Sequence, residues 1–249
     1  MLSGLTAVVT GGNGGIGLGI ARALAEAGAD VAIWGRDEAK TAAAVEDLAG
    51  LGTQVASCVC DISDEASVTR AFAETVRSLG KVDAFVANAG IGGGGDFLST
   101  TLEDWRAVTA VNLDGTFLCL REAARHMVER GEGGALVAVT SLTVLQGAAG
   151  VEAYSASKSG VAGLMRCLAV DLARHRIRSN SIMPGWVATD LNEALRTNER
   201  FMTVTTSRTP VRRWGGPDDV GQAAVFLADP KNLFHTGDTV VVDGGYSIF

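Results

Sequence analysis

The stretch TGGNGGIG, at residues 10–17, stands between two segments of different periodicity. The apolar run LTAVVT (5–10) before it is typical of a short buried strand, and IGLGIARALAEAGA (16–29) after it repeats its apolar residues as a helix does. A glycine-rich turn at such a junction lets backbone N–H groups and the amino terminus of a helix face a phosphate. No Lys-Ser or Lys-Thr pair follows the glycines, which excludes the P-loop form of this turn.

Two spacing patterns overlap in the turn. The pattern G-x-G-x-x-G is met by Gly12, Gly14 and Gly17, and the pattern T-G-x-x-x-G-x-G is met by Gly11, Gly15 and Gly17. Both predict a turn that holds a nucleotide phosphate, but they belong to different kinds of enzyme. Motifs further along the chain are needed to decide between them.

The alternation of strand and helix patterns continues along the chain. Further segments typical of strands are DVAIWG (30–35), TQVASCVCD (53–61), VDAFVANAG (82–90), GALVAVTS (134–141), IRSNSIMPG (177–185) and TVVVDGG (239–245). Helical periodicity marks the segments 37–52, 64–80, 102–130, 153–175 and 217–229. Strands that are apolar throughout are typical of a parallel sheet with helices on both faces. The sequence therefore predicts an α/β fold with a doubly wound, seven-stranded parallel sheet.

The division of the chain follows from the same pattern. No linker-like stretch interrupts the alternation, so we expect a single domain over residues 1–249. The least regular region, residues 186–214, follows the carboxyl end of a strand, where doubly wound sheets bind ligands. We expect this region to form a lid over a substrate.

Composition narrows the class of protein further. The net charge of −7 and the lack of a long basic run argue against a nucleic-acid partner. No apolar run approaches ~20 residues and the amino terminus leads directly into a strand pattern, so we expect a cytoplasmic protein without a membrane span or signal peptide. We expect the four scattered cysteines to be small buried hydrophobic residues with reduced thiols; they are Cys58, Cys60, Cys119 and Cys167.

Residues 154–158, YSASK, place a tyrosine four positions before a lysine. Positions i and i+4 share one face of a helix, so Tyr154 and Lys158 would lie side by side. An ammonium group beside a phenol favours phenolate and lowers a pKa that starts near ~10. Such a tyrosine exchanges a proton with a carbonyl or an alcohol near neutral pH. Ser141 ends the fifth strand, where its hydroxyl would face the same crevice and donate to the substrate oxygen.

Eight motifs, in this order, give the chain a family resemblance. They are TGGNGGIG (10–17), CDISD (60–64), NAG (88–90), VNLDGTF (111–117), TS (140–141), YSASK (154–158), IRSNSIMPGWVATD (177–190) and TGDTVVVDGGYS (236–247). Together they resemble the short-chain dehydrogenase/reductase superfamily, in its short single-domain branch, over essentially the whole chain. The resemblance implies a Rossmann-type sheet and a hydride transfer between a nicotinamide cofactor and a carbonyl or secondary alcohol. It also selects T-G-x-x-x-G-x-G as the functional glycine pattern.

The resemblance implies a role for each member of a catalytic tetrad. Tyr154 is the general acid/base, Lys158 lowers its pKa and binds the nicotinamide ribose, and Ser141 orients the substrate oxygen. Asn112, at a local distortion of the long helix, holds a water that links Lys158 to solvent. No metal is required, and the histidines fall outside every motif; they are His126, His175 and His235.

The same resemblance implies a set of cofactor contacts. The glycine turn and its neighbours shape the phosphate site, two residues flank the adenine, and later residues border the ribose and nicotinamide. Besides Tyr154 and Lys158, the set comprises Gly11, Asn13, Gly15, Ile16, Gly17, Asp61, Ile62, Asn88, Ala89, Gly90, Pro184, Gly185, Val187 and Thr189.

The choice between NADP and NAD depends on the end of the second strand. An acidic residue there would bond the adenosine ribose 2′-OH and repel a 2′-phosphate, but the position is Gly35 and the next is Arg36. An arginine offers a forked, charged donor for phosphate, which favours NADP. Two features favour NAD instead: the family's other common basic position is Gly14 here, and Asp37 either turns inward or caps the next helix.

The sequence leaves the substrate open. We expect its walls to come from 92–95, 143–146, Trp186 and 190–212, with the arginines of the last segment forming a solvated lid face. An anionic or carrier-linked substrate is a second interpretation of those arginines. The chain resembles both 3-oxoacyl-carrier-protein reductases and sugar-acid or secondary-alcohol dehydrogenases, which includes NAD-dependent members.

Two other activities are less consistent with the motifs. A catalytically silent, nucleotide-sensing protein would show a broken tetrad, and all four tetrad residues are present. A double-bond (enoyl) reductase of the superfamily usually has a wider spacing between its tyrosine and lysine. The resemblance also implies a homotetramer, with the helices at 102–130 and 153–175 paired between subunits.

Overall fold

The computed structural model describes the whole chain, residues 1–249, and contains one seven-stranded sheet. Its strands are β1 (Thr6–Thr10), β2 (Asp30–Gly35), β3 (Val55–Val59), β4 (Ala84–Ala87), β5 (Gly134–Val139), β6 (Ile177–Pro184) and β7 (Thr239–Val242). Every neighbouring pair is parallel, and the strand order is β3-β2-β1-β4-β5-β6-β7. The predicted α/β fold, a doubly wound parallel sheet of Rossmann type, is confirmed.

Nine helices connect or follow these strands. They are α1 (Gly15–Glu26), α2 (Glu38–Leu48), α3 (Glu65–Leu79), α4 (Leu102–Thr109), α5 (Thr116–Arg130), α6 (Glu152–Asp171), α7 (Glu193–Arg196), α8 (Glu199–Arg208) and α9 (Pro217–Ala228). Asp37 and Asp64 cap α2 and α3 by accepting backbone N–H groups of the first turn. No helix of the chain is both long and apolar enough to cross a bilayer.

The helices bury two separate cores, one on each face of the sheet. Successive strand residues point to opposite faces, so Val9 packs with α1 and α9 whereas Val8 packs with α3, α5 and α6. Ile33 and Trp34 of β2 are divided between the two cores in the same way. Helices therefore cover both faces of the sheet, so a ligand site is expected at the ends of the strands.

The strands are less uniformly apolar than the sequence predicts. The edge strand β3 leaves Val59 59% exposed, and β6 buries Arg178 in the sheet next to three further polar residues. The Arg178 guanidinium donates to the carbonyl of Leu227 at the end of α9, 2.7 Å away. Cations are favourable at the carboxyl end of a helix, which explains this buried charge.

The expectation of four buried cysteines is wrong for one of them. Cys58, Cys60 and Cys119 are buried, whereas Cys167 is exposed on the outer face of α6. The helix presents only part of its circumference to the core, and Cys167 falls on the remaining part. All four thiols are free.

The segment 102–130 is helical throughout but changes its winding in the middle. A π-helical stretch, Ala110–Gly115, separates α4 from α5 and contains Asn112. Such wide turns are rare and frequently lie at functional sites. This is the local distortion that the family resemblance implies.

The strand order reverses between β1 and β4. The chain leaves β1 toward β2 on one side and returns to β4 on the other, so the connections diverge above the carboxyl ends of these two strands. Doubly wound sheets bind ligands in the crevice at this switch point. The glycine turn follows β1, and Asn88 follows β4, so both lie at the crevice.

Candidate active site

A cleft of about 810 Å³ opens above the carboxyl edge of the sheet. Its lining comes from the turn after β1, from the segments that follow β2 to β6, from the start of α6 and from the lid region. Of the expected catalytic and cofactor-binding residues, only Gly17 and Asn112 lie behind the lining; the structure brings into the cleft Gly11, Asn13, Gly15, Ile16, Arg36, Asp61, Ile62, Asn88, Ala89, Gly90, Ser141, Tyr154, Lys158, Pro184, Gly185, Val187 and Thr189. The expected substrate walls are only partly correct, because Gly95, Val144, Leu145 and most of 193–212 lie outside the lining.

The glycine turn shows why particular glycines are needed. Gly11 and Gly15 have φ values of +63° and +50°, in the left-handed region that glycine adopts without strain. A Cβ at Gly17 would lie 2.1 Å from the carbonyl oxygen of Gly11, so this helix residue packs directly on the turn. Gly14 is extended, a conformation open to any residue. These positions match T-G-x-x-x-G-x-G.

The amino terminus of α1 fits a phosphate. No side chain caps this helix, and its first turn carries no acidic residue. The free N–H groups and the positive end of the helix dipole therefore face the cleft without a competing protein anion. A dinucleotide phosphate is the kind of group that such a terminus binds.

Thr10 holds the two sides of the switch point together. Its hydroxyl accepts the backbone N–H groups of Asn88 and Ala89, both at 3.0 Å, and its carbonyl accepts the Asn88 amide at 2.9 Å. The turn after β1 and the segment after β4 are thus fixed relative to each other. In the sequence, only the threonine at the start of the glycine motif indicated this link between the segments after β1 and β4.

Lys158 and Asn112 are buried close together at the floor of the cleft, where Lys158 reaches the lining and Asn112 lies behind it. Lys158 is 4% exposed and its Nζ donates to the Val139 carbonyl at 2.8 Å. Asn112 exchanges hydrogen bonds with the backbone of Ile91 and donates to Ser157 at 3.2 Å. The wide π turn brings this amide across to the segment after β4, where it fixes the backbone bordering the cleft.

The ionisation of the pair differs from the expectation. Burial lowers the pKa of Lys158 to about 8. Burial also raises the pKa of Tyr154, and the hydroxyl of Ser141 opposes this change by hydrogen bonding to the phenol. The Lys158 ammonium lies 5.8 Å from the centre of the tyrosine ring. In this geometry desolvation is the largest influence on the phenol, so the pKa of Tyr154 is raised where a lowering was expected.

The end of the cleft near Gly35 is arranged around an asparagine. A Cβ at Gly35 would lie 2.2 Å from the amide nitrogen of Asn13, which itself donates to Thr41 at 3.0 Å. An acidic side chain at position 35 would therefore have to displace the Asn13 amide from its hydrogen bond with Thr41. Asp37 does not turn inward: it accepts the backbone N–H of Lys40 and caps α2. Arg36 faces the same end of the cleft.

The opposite end is walled by aromatic rings. Trp186 stacks on Trp214 with ring centres 5.2 Å apart and meets Phe201 edge-on at 5.1 Å. Tyr246, from the chain terminus, closes this cluster, and Arg208 lies over its ring at 4.4 Å. Of the arginines expected on a solvated lid face, Arg208 is the one that lines the cleft.

Known proteins resemble this chain over its full length. A family model described as enoyl-(acyl carrier protein) reductase matches residues 11–247. A 3-oxoacyl-[acyl-carrier-protein] reductase of Chlamydia pneumoniae is 35% identical over 244 residues, covering 98% of this chain and 97% of the relative. The 2-dehydro-3-deoxy-D-gluconate 5-dehydrogenase of Escherichia coli is 35% identical, covering 98% and 96%.

A solved structure agrees equally well. The gluconate 5-dehydrogenase of Burkholderia cenocepacia, in complex with NADP and tartrate, has a TM-score of 0.94 and 36% identity, covering 100% of this chain and 97% of that one. The chain belongs to the short-chain dehydrogenase/reductase family. It is an oxidoreductase that transfers a hydride between a nicotinamide cofactor and a carbonyl or alcohol carbon.

Two residues that line this short-chain dehydrogenase/reductase cleft, Lys40 and Tyr246, were not expected from the sequence. Lys40 lies in the first turn of α2 and reaches back over the glycine turn, and Asp190 faces it from the lid. Tyr246 enters the cleft from the far end of the chain. Only the closeness of Lys40 to Arg36 in the sequence could have indicated its position, and the position of Tyr246 depends on how the terminus folds back.

Proposed function

We propose that this enzyme is an NADP-preferring carbonyl reductase or alcohol dehydrogenase whose proton donor and acceptor is Tyr154. The observation that carries the proposal is the meeting of Ser141, Tyr154 and the buried Lys158 in one cleft beside an uncapped helix terminus. A hydroxyl and a phenol that converge on one substrate oxygen provide a donor and a proton-transfer group.

Each residue of the tetrad has a separate task in the proposed reaction. Ser141 donates a hydrogen bond to the substrate oxygen and orients it toward Tyr154. In reduction Tyr154 gives its proton to that oxygen, and in oxidation it removes the proton. Lys158 holds positive charge next to the tyrosine and the ribose site, which stabilises phenolate when the proton leaves. Asn112 fixes the backbone at Ile91 and so keeps the cleft wall in place.

The nicotinamide ring, when bound, supplies or accepts the hydride at the substrate carbon. The protein contributes position and exclusion of water. The uncapped terminus of α1 and the glycine turn bind the phosphates, and Gly90 leaves space beside Asn112 and Lys158, where a Cβ would lie 3.1 Å and 3.4 Å from their polar atoms.

The variant Tyr154→Phe tests the assignment. We expect it to lower kcat by about 10³-fold or more, because the substrate oxygen loses its proton donor. Binding of the reduced dinucleotide, followed by its fluorescence, should change by less than about threefold, because the ring itself stays. Retention of wild-type turnover would refute the role of Tyr154, whereas lost dinucleotide binding would indicate a structural effect.

The preference for NADP rests on the end of β2. The Asn13 amide fills the space of an acidic residue at position 35, Asp37 is engaged as a cap, and Arg36 supplies positive charge. The NADP in the Burkholderia cenocepacia relative supports the same choice. We expect kcat/KM to favour NADP over NAD, and Arg36→Asp to shift that ratio toward NAD by about tenfold or more. A wild-type preference for NAD would overturn the proposal.

We further propose that the substrate carries an acidic group. Arg208 lines the lid end of the cleft, where its Nε donates to an oxygen of the terminal residue Phe249 at 3.4 Å, and no aspartate or glutamate side chain lines that end. The gluconate-type relatives act on sugar acids by name, and the tartrate in one of them is a dicarboxylate. A 3-oxoacyl carrier thioester is the second candidate, favoured by the reductase of Chlamydia pneumoniae.

The acidic-substrate proposal is tested with Arg208→Leu and a matched control, Arg200→Leu, whose exposed side chain lies outside the cleft lining. A panel of ketones, alcohols, neutral sugars, sugar acids and 3-oxoacyl thioesters is assayed by nicotinamide absorbance. We expect Arg208→Leu to lower kcat/KM about 10- to 100-fold for anionic substrates only. Equal losses on neutral substrates, or with the control, would contradict a charge contact.

The enzyme's organisation completes the proposal. We propose one catalytic domain over residues 1–249 with residues 186–214 as its lid, in a cytoplasmic homotetramer without a nucleic-acid partner. Support for subunit contacts comes from apolar side chains left exposed on the outer surfaces: Phe117, Val170, Phe226, Leu233, Phe234, Ile248 and Phe249. Analytical ultracentrifugation is expected to give a tetramer, and a monomer would contradict it.

A further inference from the structure

The side chain of Lys40 crosses the mouth of the glycine turn. Its Nζ lies 2.5 Å from Asp190 Oδ2, so α2 on one wall of the cleft is joined to the start of the lid on the other. A Cβ built on Gly14 would lie 2.9 Å from the same Nζ. The ammonium group therefore occupies the place where a side chain at position 14 would stand.

The charges around this place favour an anion. Arg36 and Lys40 are the cations of this end of the cleft. Of the nearby acids, Asp37 caps α2, and the pKa of Asp61 is lowered, chiefly by a hydrogen bond from Ser63 and to a smaller extent by the charge of Arg36. Asp190 remains as the single carboxylate that bonds Lys40.

We propose that Lys40 is a specificity-determining ligand of the cofactor's 2′-phosphate, and that Asp190 is the counterion which the phosphate replaces. The proposal rests on the NADP preference proposed above and adds to Arg36 a second cation from one turn further along α2. The family's common basic residue of the glycine turn is replaced by Gly14 in this chain. In this arrangement Lys40 of α2 supplies that positive charge instead.

Exposure explains why the exchange is favourable. The side chains of Lys40 and Asp190 are 45% and 79% exposed, and ion pairs between solvated groups contribute little. A phosphate monoester carries a charge of about −1.5 to −2 at pH 7 and three acceptor oxygens, so it binds an ammonium group more strongly than one carboxylate does. The ion pair with Asp190 thus keeps Lys40 directed at the site, and the pair breaks when Lys40 binds the 2′-phosphate.

Two nucleotide fragments isolate the 2′-phosphate. Adenosine 2′,5′-bisphosphate and adenosine 5′-monophosphate differ only in that group, and their binding is measured by calorimetry on the full chain without catalysis. We expect the wild type to prefer the bisphosphate, and Lys40→Gln to weaken it about tenfold while changing the monophosphate less than about twofold. Lys40→Arg should restore most of the loss, because it keeps the positive charge.

Lys231→Gln is the matched control, since Lys231 is exposed and lies outside the cleft. It removes the same net charge, so any general electrostatic effect would appear in it too. Thermal unfolding of each variant shows whether the fold is kept. A tenfold loss in the control, or no change in the bisphosphate-to-monophosphate ratio in folded Lys40→Gln, would overturn the role of Lys40.

A double-variant cycle tests the counterion. We expect Asp190→Asn alone to tighten the bisphosphate about two- to fivefold, because Lys40 is released from its partner. In the Lys40→Gln background the same change should have no effect. Equal tightening in both backgrounds would show that Asp190 acts on the phosphate directly and would overturn the exchange.

The outcomes separate this inference from the proposed function. A wild type that binds both fragments equally would remove the NADP preference itself. A wild type that prefers the bisphosphate through Arg36, with Lys40→Gln unchanged, would leave that preference intact and refute only Lys40.

Discussion

The two ends of the cleft are built in different ways. The glycine-turn end is made from tightly packed backbone and short side chains. A Cβ added at Gly17, for example, would lie only 2.1 Å from the carbonyl oxygen of Gly11. The lid end is made from large side chains, with Trp186 stacked on Trp214 and Phe201 edge-on to both rings. A site formed by backbone tolerates few substitutions, whereas one formed by side chains can vary in shape. The comparison indicates that the cofactor end constrains this chain more tightly than the substrate end does.

The largest expected effect is a loss of stability at the glycine-turn end. Gly17→Ala should lower the free energy of unfolding by about 3 kcal/mol, because the methyl group would collide with the backbone of Gly11. Denaturant unfolding and dinucleotide binding by fluorescence measure the loss. Gly14→Ala is the control for the unfolding measurement: its Cβ meets only the far end of the Lys40 side chain, so we expect a change in stability within about 0.5 kcal/mol. Equal losses in both variants would contradict the packing explanation.

The next effect concerns the buried charge between the two ends. Because the folded-state pKa of Lys158 is about 8, against 10.5 for a free lysine, the unfolded chain binds more protons between these values. The charged lysine therefore destabilises the fold fully below about pH 8, and this cost disappears as the pH rises to about 10.5. Lys158→Met should abolish turnover and yet stabilise the fold by about 1–3 kcal/mol at pH 7.

Denaturant unfolding at several pH values tests the direction of this pH dependence. The stability advantage of Lys158→Met should shrink as the pH rises from 8 to 10.5. Lys231→Met serves as the control, because Lys231 is exposed and its removal should leave the pH dependence unchanged. A variant that is less stable than the wild type at pH 7 would show that the Val139 hydrogen bond outweighs the desolvation of the ammonium group.

A smaller effect is expected at the lid end. Phe201 is half-buried against Trp186 and Trp214, so Phe201→Ala should cost about 1–2 kcal/mol of stability, less than a fully buried phenylalanine. We expect KM for the substrate to rise while cofactor binding stays the same. Val204→Ala, at an exposed side chain of the same helix α8, should change neither KM nor cofactor binding. Weaker cofactor binding in Phe201→Ala would show that the two ends are coupled.

The smallest expected effect is a loss of stability at the start of α2, which borders the cofactor end of the cleft. Asp37→Ala should cost about 1 kcal/mol, since the Lys40 N–H loses its acceptor at the start of α2. Asp37→Ser keeps a capping oxygen and should retain most of the stability. Thermal unfolding of both variants distinguishes capping from charge. A full loss in the serine variant would indicate that the charge of Asp37, not its cap, stabilises α2.

Sequence patterns predicted the fold well because they are local. The apolar strand runs and the helical periodicity indicated the seven parallel strands that the structure contains, with boundaries shifted at helix ends such as Glu26, where α1 ends before the expected segment 16–29 does. The polar residues inside β6 were the exception. Their burial depends on partners distant in sequence, such as Leu227 for Arg178, and no local pattern carries that information.

The roles given to Ser141, Tyr154, Lys158 and Asn112 stay predictions, but their placement illustrates the same division. The spacing of Tyr154 and Lys158 on one helix turn is a local property, so the sequence determined that they lie together. Their ionisation is not local: burial beneath the cleft lowers the lysine pKa and raises that of the tyrosine. Desolvation depends on every element packed around a group.

The sequence by itself determined the α/β class, the strand count and the glycine turn, because periodicity and backbone conformation are written into neighbouring residues. Only the tertiary structure decided that Lys40 stands in for a side chain at Gly14 and meets Asp190, 150 positions away. It also decided that Arg208 and Tyr246 share the lid end. Contacts across the cleft arise from how separate connections fold over one sheet edge, and a linear pattern does not encode that geometry.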